Sequence, residues 1–172
     1  MFATGMTMFA TALTMLATAM TISSCGFQLR GEPEVGVHRL FISSVGPSLV
    51  QADIKRLLAT GPTKVMAKAA DAEAHLHILQ ETRDKTVYTI TGQGVVYEFQ
   101  LRLIVRYELL VPGREEPVVA PTTIETRRLI TYSVNAPTAK ETEEQLLFKD
   151  MQLDLAGQIL RHVAAVKRDI TQ

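Results

Sequence analysis

The sequence predicts an α+β domain in the order strand, helix, three strands, helix. These elements form one mixed four-stranded sheet with two helices packed on one face. Residues 95–111 alternate apolar and polar side chains over an unusual length, the period-two pattern of a half-buried strand. Residues 48–58 and 138–167 carry apolar side chains at helical spacing. Gly and Pro punctuate the chain between these runs and so set the number of elements.

A chain of 172 residues has room for one domain with a real core. Lys plus Arg number 18 and Asp plus Glu number 18, so the basic excess that general nucleic-acid binding requires is missing. A hydrophobic content of 47% argues against a disordered chain.

The charge is unevenly placed. No Asp, Glu, Lys, Arg or His precedes Arg30. An apolar start of this kind enters a bilayer without desolvating an ionised group, and a transmembrane helix, a buried core helix and a signal sequence compete for it. The single Cys chooses among them. Ile22-Ser23-Ser24-Cys25-Gly26 is an aliphatic residue, two small residues and Cys, the lipobox of bacterial lipoprotein signals. Small side chains let a peptidase hold the backbone extended, and the Cys25 thiol becomes a thioether to diacylglycerol. After cleavage Cys25 is the first residue and carries the diacylglycerol and an N-acyl chain. Each buried CH₂ adds about 0.8 kcal/mol, so several chains anchor stably. No other cofactor is expected. The segment lacks the basic start usual in signal peptides. Gly26, where Asp commonly retains lipoproteins at the inner membrane, favours the outer membrane. The reading is therefore a signal peptide over 1–24, a lipidated Cys with a Gly- and Pro-containing linker over 25–36, and one domain over 37–172. A lone lipidated Cys leaves no disulfide within the mature chain, which must hold together by packing.

Val37 to Ser43 reads as the first strand. Pro47 and Ser48 open a helix, with Ser48 and Gln51 as a capping box and Val50, Ile54, Leu57 and Leu58 as its apolar stripe. Gly61-Pro62 ends it. Ala74 to Thr82 alternates as a strand, with Leu76 and Ile78 on one face, and Thr86 to Ile90 continues or resumes it. Gly92-Gln93-Gly94 is the turn. From Val95 to Val111 the odd positions are apolar and share a face, while Glu98, Gln100, Arg102, Arg106 and Glu108 share the other. Thr123 to Val134 is the last strand. Thr138 and Glu141 form a second capping box for a helix running to about Lys167, with Leu147, Met151, Leu155, Ile159, Val163 and Val166 in line. The first strand–helix–strand passage suits a parallel crossover and the rest are antiparallel. The uncovered face, with Glu98, Arg102, Arg106 and Arg127, is expected to be wet or to meet a polar partner.

Little in the chain suggests chemistry. His75 and His77 share a strand face, but no further ligand cluster accompanies them and two solvated histidines are the simpler reading. There is no P-loop and no GxSxG, and Gly92-Gln93-Gly94 precedes a strand where a phosphate loop precedes a helix. No catalysis and no metal are expected. The cations Lys64, Lys68, Arg83, Lys85, Arg102, Arg106, Arg127, Arg128 and Lys140 lie on or beside the sheet. Arg in particular can hold phosphates bidentately, although interspersed surface charge is the default.

Three stretches resemble the LPS-assembly lipoprotein LptE family. Cys25-Gly26-Phe27-Gln28-Leu29-Arg30-Gly31 is similar to the family's lipidated start. Leu110-Val111-Pro112-Gly113-Arg114 is like the exit of its third strand. Ala139-Lys140-Glu141 with Glu144-Gln145 is like the beginning of its last helix. The resemblance implies a lipoprotein on the periplasmic face of the Gram-negative outer membrane, in one-to-one complex with the large β-barrel LptD. It would help assemble that barrel, plug its lumen and bind lipopolysaccharide during delivery to the cell surface. Lys140 matches the family's Lys before the last helix. The family's basic hairpin tip has no counterpart in Thr89-Ile90-Thr91-Gly92-Gln93-Gly94, for which Arg83 and Lys85 are the nearest substitutes. The alternatives are a periplasmic lipoprotein of another envelope transport or secretion machine, and an enzyme on a lipid tether.

Overall fold

A computed structural model describes residues 35–133 and 137–166. Cys25, the signal segment, most of the linker and Val134 lie outside the described residues. The first strand, β1 (Arg39–Ser44), turns Leu40 and Ile42 inward. Helix α1 (Leu49–Leu58) follows and buries Val50, Ile54 and Leu58. A short strand β2 (Lys64–Met66) comes next, then the long strands β3 (Ala74–Ile90) and β4 (Val96–Leu110). Strand β5 (Val119–Thr131) and helix α2 (Pro137–Ala165) complete the domain.

The five strands form one sheet in the order β2-β1-β3-β4-β5. β1 is parallel to both β2 and β3, and the remaining pairs are antiparallel. The α+β class and the mixed sheet agree with the sequence reading, with one strand more than the four expected. The addition is β2, whose three residues are too few to show a period. It is fixed from outside: Lys64 N donates to His38 O at 2.8 Å, and the Thr63 hydroxyl donates to Val37 O at 2.8 Å.

Both helices cover one face of the sheet. Val50 and Ile54 of α1, Met151, Leu155 and Ile159 of α2, and Leu76, Leu103 and Val105 of the sheet are fully buried in one core. Val35, inside the stretch read as linker, is also fully buried there. Near the far end of α2, Tyr107 shares a 2.5 Å hydrogen bond with His162 Nδ1, and burial pushes the Tyr107 hydroxyl pKa up, so the phenol keeps its proton for that bond.

The capping boxes differ from expectation in instructive ways. Ser48 Oγ accepts from Gln51 N at 3.0 Å, which is half of the box. The Gln51 side chain instead donates to Ile42 O at 3.0 Å. Glu81 of β3 adds to the cap from outside the helix: its Oε2 accepts from Ser48 Oγ at 2.6 Å and from Val50 N at 3.1 Å. A carboxylate at a helix N-terminus satisfies otherwise unpaired N–H groups and meets the positive end of the helix dipole. At α2, the helix already includes Pro137, so Thr138 lies inside the first turn rather than at the cap. Proline suits a first helical position, where its missing N–H leaves nothing unsatisfied. β5 begins at Val119, ahead of the expected Thr123, and carries Pro121, which an edge strand tolerates.

One irregularity decides where the cations point. In the β3–β4 pairing the register slips between Ile78 and Gln80. Before the slip Ala74, Leu76 and Ile78 face the core. After it Glu81, Arg83 and Lys85 stand opposite the inward residues Val105, Leu103 and Leu101. One extra residue reverses the faces of everything that follows. Without this bulge Arg83 and Lys85 would share the open face with His75 and His77.

Candidate functional site

Because the bulge turns Lys85 toward the helices, it meets α2. Its Nζ donates to Glu144 Oε2 at 2.5 Å and lies 4.6 Å from the centre of the Phe99 ring. Lys140, in the first turns of α2, donates from Nζ to Glu143 Oε2 at 2.8 Å and to Thr131 Oγ1 at 3.0 Å. Lys85, Lys140, Phe99, Tyr132 and Glu144 line one open pocket where the sheet runs out from under the helix. Phe99 and Tyr132 meet edge to face at 5.7 Å, giving the pocket an aromatic wall.

Each lysine has a carboxylate partner, and the pocket also contains Glu141. These pairs are accessible, with the Lys85 side chain 40% exposed and that of Lys140 24% exposed. Pairs in contact with water contribute about 0–1 kcal/mol. The two ammonium groups are thus matched by Glu144 and Glu143, with Glu141 beside them, and a phosphate binds there only by displacing these carboxylates.

Arg83 goes elsewhere. Its guanidinium lies over the Phe148 ring of α2, 5.3 Å from the centre, and lines a different groove between the helices. The three residues singled out for anion binding thus divide into Lys85 with Lys140 on one side and Arg83 on the other. The aromatic wall was absent from the sequence reading. Its signal was present, since Phe99 and Tyr132 fall on the inward phase of their strands.

The opposite sheet face is polar. Arg102 Nη2 donates to Glu125 Oε2 at 2.9 Å, and Arg127 also reaches Glu125. These guanidiniums, Arg102 first, hold the Glu125 carboxyl below its ordinary pKa. His75 and His77 sit on this face, partly covered. Ser43 Oγ is 2.7 Å from His75 Nε2, and His77 Nδ1 is 3.1 Å from Glu108 Oε1. Among the described residues, no three His, Cys, Asp or Glu converge as metal ligands.

Residues 37–163 match the family model LptE, Lipopolysaccharide-assembly. The chain belongs to the LptE family. Its role accordingly lies in lipopolysaccharide assembly, a process of the cell envelope. The LPS-assembly lipoprotein LptE of Yersinia enterocolitica is 28% identical over 148 residues, covering 84% of this chain and 70% of that protein. Its counterpart in Yersinia pestis strain Pestoides F is 27% identical over the same shares. Among solved structures, uncharacterized lipoprotein B from Nitrosomonas europaea is 32% identical with a TM-score of 0.69, covering 81% of this chain and 91% of that one. Rare lipoprotein B from Shewanella oneidensis, 24% identical with a TM-score of 0.67 over 78% and 99% of the chains, shares the fold.

Proposed function

We propose that this LptE-family protein is an outer-membrane lipoprotein, tethered through acyl chains on Cys25. In this reading it assembles and plugs the LptD barrel and binds lipopolysaccharide during delivery to the cell surface. The mechanism is binding alone, with no catalytic step. The observation that carries the reading is the convergence of Lys85 and Lys140 beside Phe99 and Tyr132. Two ammonium groups with an aromatic wall fit a phosphate on an amphiphile. Competition for that phosphate weakens the ionic bridges that hold lipopolysaccharide in aggregates.

The sheet supports the second half of the reading. One face is closed by helices, while the other presents His77, Glu108, Arg102, Glu125 and Arg127 in hydrogen-bonded pairs. A barrel lumen is polar, so a polar sheet face suits contact with it.

The test is to extract native membranes in detergent with a C-terminally tagged copy and identify what co-purifies. A large β-barrel in equal amount supports the plug. Recovery with an inner-membrane complex overturns it in favour of another envelope machine. Cys25→Ala tests the tether, which fails if the protein then fractionates with the outer membrane in a strain depleted of the barrel.

A further inference from the structure

Strand β3 is paired unequally along its length. On the side away from β4 it has β1 as a neighbour only over residues 74–78, and Val45 N closes that stretch by donating to Ile78 O at 3.0 Å. The chain then leaves for α1, and the sheet order places no further strand on that side. Over residues 80–87 β3 keeps unbroken register with β4, from Gln80 opposite Arg106 to Val87 opposite Phe99. This regular stretch, about 26 Å long at the usual rise, has one open edge. Among the described residues, no backbone–backbone hydrogen bond outside the β3–β4 ladder reaches residues 80–90. In an antiparallel pair alternate residues point their N–H and C=O away from the neighbour, so the edge carries unpaired donors and acceptors.

Proteins guard such edges with charge, proline or a covering element. The long edge strand β5 is guarded: it carries Pro121, which has no N–H to donate, and Glu125, Arg127 and Arg128. The edge of β3 is not. Its charges are drawn elsewhere, Glu81 to the cap of α1, Arg83 to Phe148 and Lys85 to Glu144. Residues 86–97 contain no charge, and Val87, Tyr88 and Ile90 are more than half exposed. Where β1 departs, an open groove lined by Val45, Ser48, Leu79 and Glu81 continues the edge. We infer that the edge of β3 over residues 80–90 is a strand-addition site for an extended, uncharged segment of a partner polypeptide. The backbone selects that occupant. A lipid surface would cover Val87, Tyr88 and Ile90 but offers nothing to the edge N–H and C=O groups, and open sheet edges do not occur in hydrocarbon. A strand satisfies both, its main chain giving affinity and its alternate side chains specificity. One short strand is far smaller than the roughly 20–30 residues a side of a self-standing interface, so the segment belongs to a partner that also grips the domain elsewhere. The inference rests on the protein-partner half of the proposed function and adds how that partner docks; it does not involve lipopolysaccharide.

The experiment recovers the tagged full chain with its partner from native membranes in detergent, and follows amide hydrogen exchange over residues 80–90 in that complex and in the isolated protein. The outward amides of the edge, about every second one, are expected to exchange at least about tenfold more slowly in the complex. Tyr88→Lys/Ile90→Lys supplies the charge that the edge lacks. It is expected to lower partner recovery about tenfold relative to Leu146→Lys, a comparably exposed position on α2, with the thermal unfolding midpoint of the isolated protein unchanged. Full recovery of the partner with fast edge exchange overturns the strand site and leaves the proposed function standing. Recovery of no protein partner sinks both. Slow edge exchange in the isolated protein in detergent assigns the edge to lipid or to a second copy, which sedimentation tells apart, and either result overturns the inference.

Discussion

At the base of the β3–β4 hairpin, Leu101, Leu103, Val105, Tyr107 and Leu109 are at most 1% exposed, whereas Val95 and Tyr97, on the same phase of the same run, are 52% and 53% exposed. Across the hairpin Val87, Tyr88 and Ile90 are likewise more than half exposed. The alternation is continuous from tip to base, yet only the base is covered. Helix α2 begins beside Lys85 and Phe99 and runs toward the base, so among the described residues no helix lies over the tip. Period two sorts side chains into faces, but a face is buried only where a second layer is present. The lysine pocket sits at the boundary between the two regimes, where charged groups can be held by an ordered frame and still reach solvent.

The largest effect should come from removing packing at the base. Leu103→Ala is expected to lower stability by about 2–5 kcal/mol, through lost burial and the cavity left behind. Urea denaturation measures this, and a loss below about 1 kcal/mol would mean the base is packed less tightly than its burial indicates.

Next is the cap that ties α1 to β3. Glu81→Ala leaves Ser48 Oγ and Val50 N without their acceptor. The expected cost is about 1–2 kcal/mol. If Gln51→Ala proved the costlier in the same assay, the bond from the Gln51 side chain to Ile42 O would outweigh the Glu81 cap.

A pH-dependent effect should belong to the open face at the base. His75 lies against Phe41, Ser43 and His77, with Glu108 near His77. Burial, and then the charge on His77, lower its pKa from 6.5 against the pull of Glu108. A base with a depressed folded pKa takes its proton more readily when unfolded. Its contribution is therefore complete above the unfolded value and declines as pH falls below about 6.5. Denaturation at about pH 7.5 and 5.5 should show less pH dependence in His75→Gln than in the unchanged protein. An equal slope in both would assign the dependence to other groups.

The smallest stability effects are expected at the tip and pocket. Tyr97→Ala should fall within about 0.5 kcal/mol of the unchanged protein. Lys85→Gln should cost at most about 1 kcal/mol, because its partner pair is accessible. Under the proposed function, Lys85→Gln should instead show as lower lipopolysaccharide affinity. A large thermal destabilisation by either would mean that the tip belongs to the folded core.

The sequence by itself determined the class, the order of the major elements and their inward residues. Strong periodicity over long runs is a local property, and β4 and α2 are long enough to display it several times over. Charge, legible residue by residue, marked nine cations on or beside the sheet, and the resemblance to the LptE family narrowed them to Lys85, Arg83 and Lys140. Tertiary structure alone decided which of them meet. The slip at Leu79 sends Lys85 and Arg83 to the helix side, and no residue type there announces a bulge. The same structure placed Lys85 with Lys140 and moved Arg83 to Phe148, brought Glu81 to a helix cap 33 residues earlier in the chain, and added β2 to the sheet. In each case the deciding partner is distant in sequence, and only packing brings the two together.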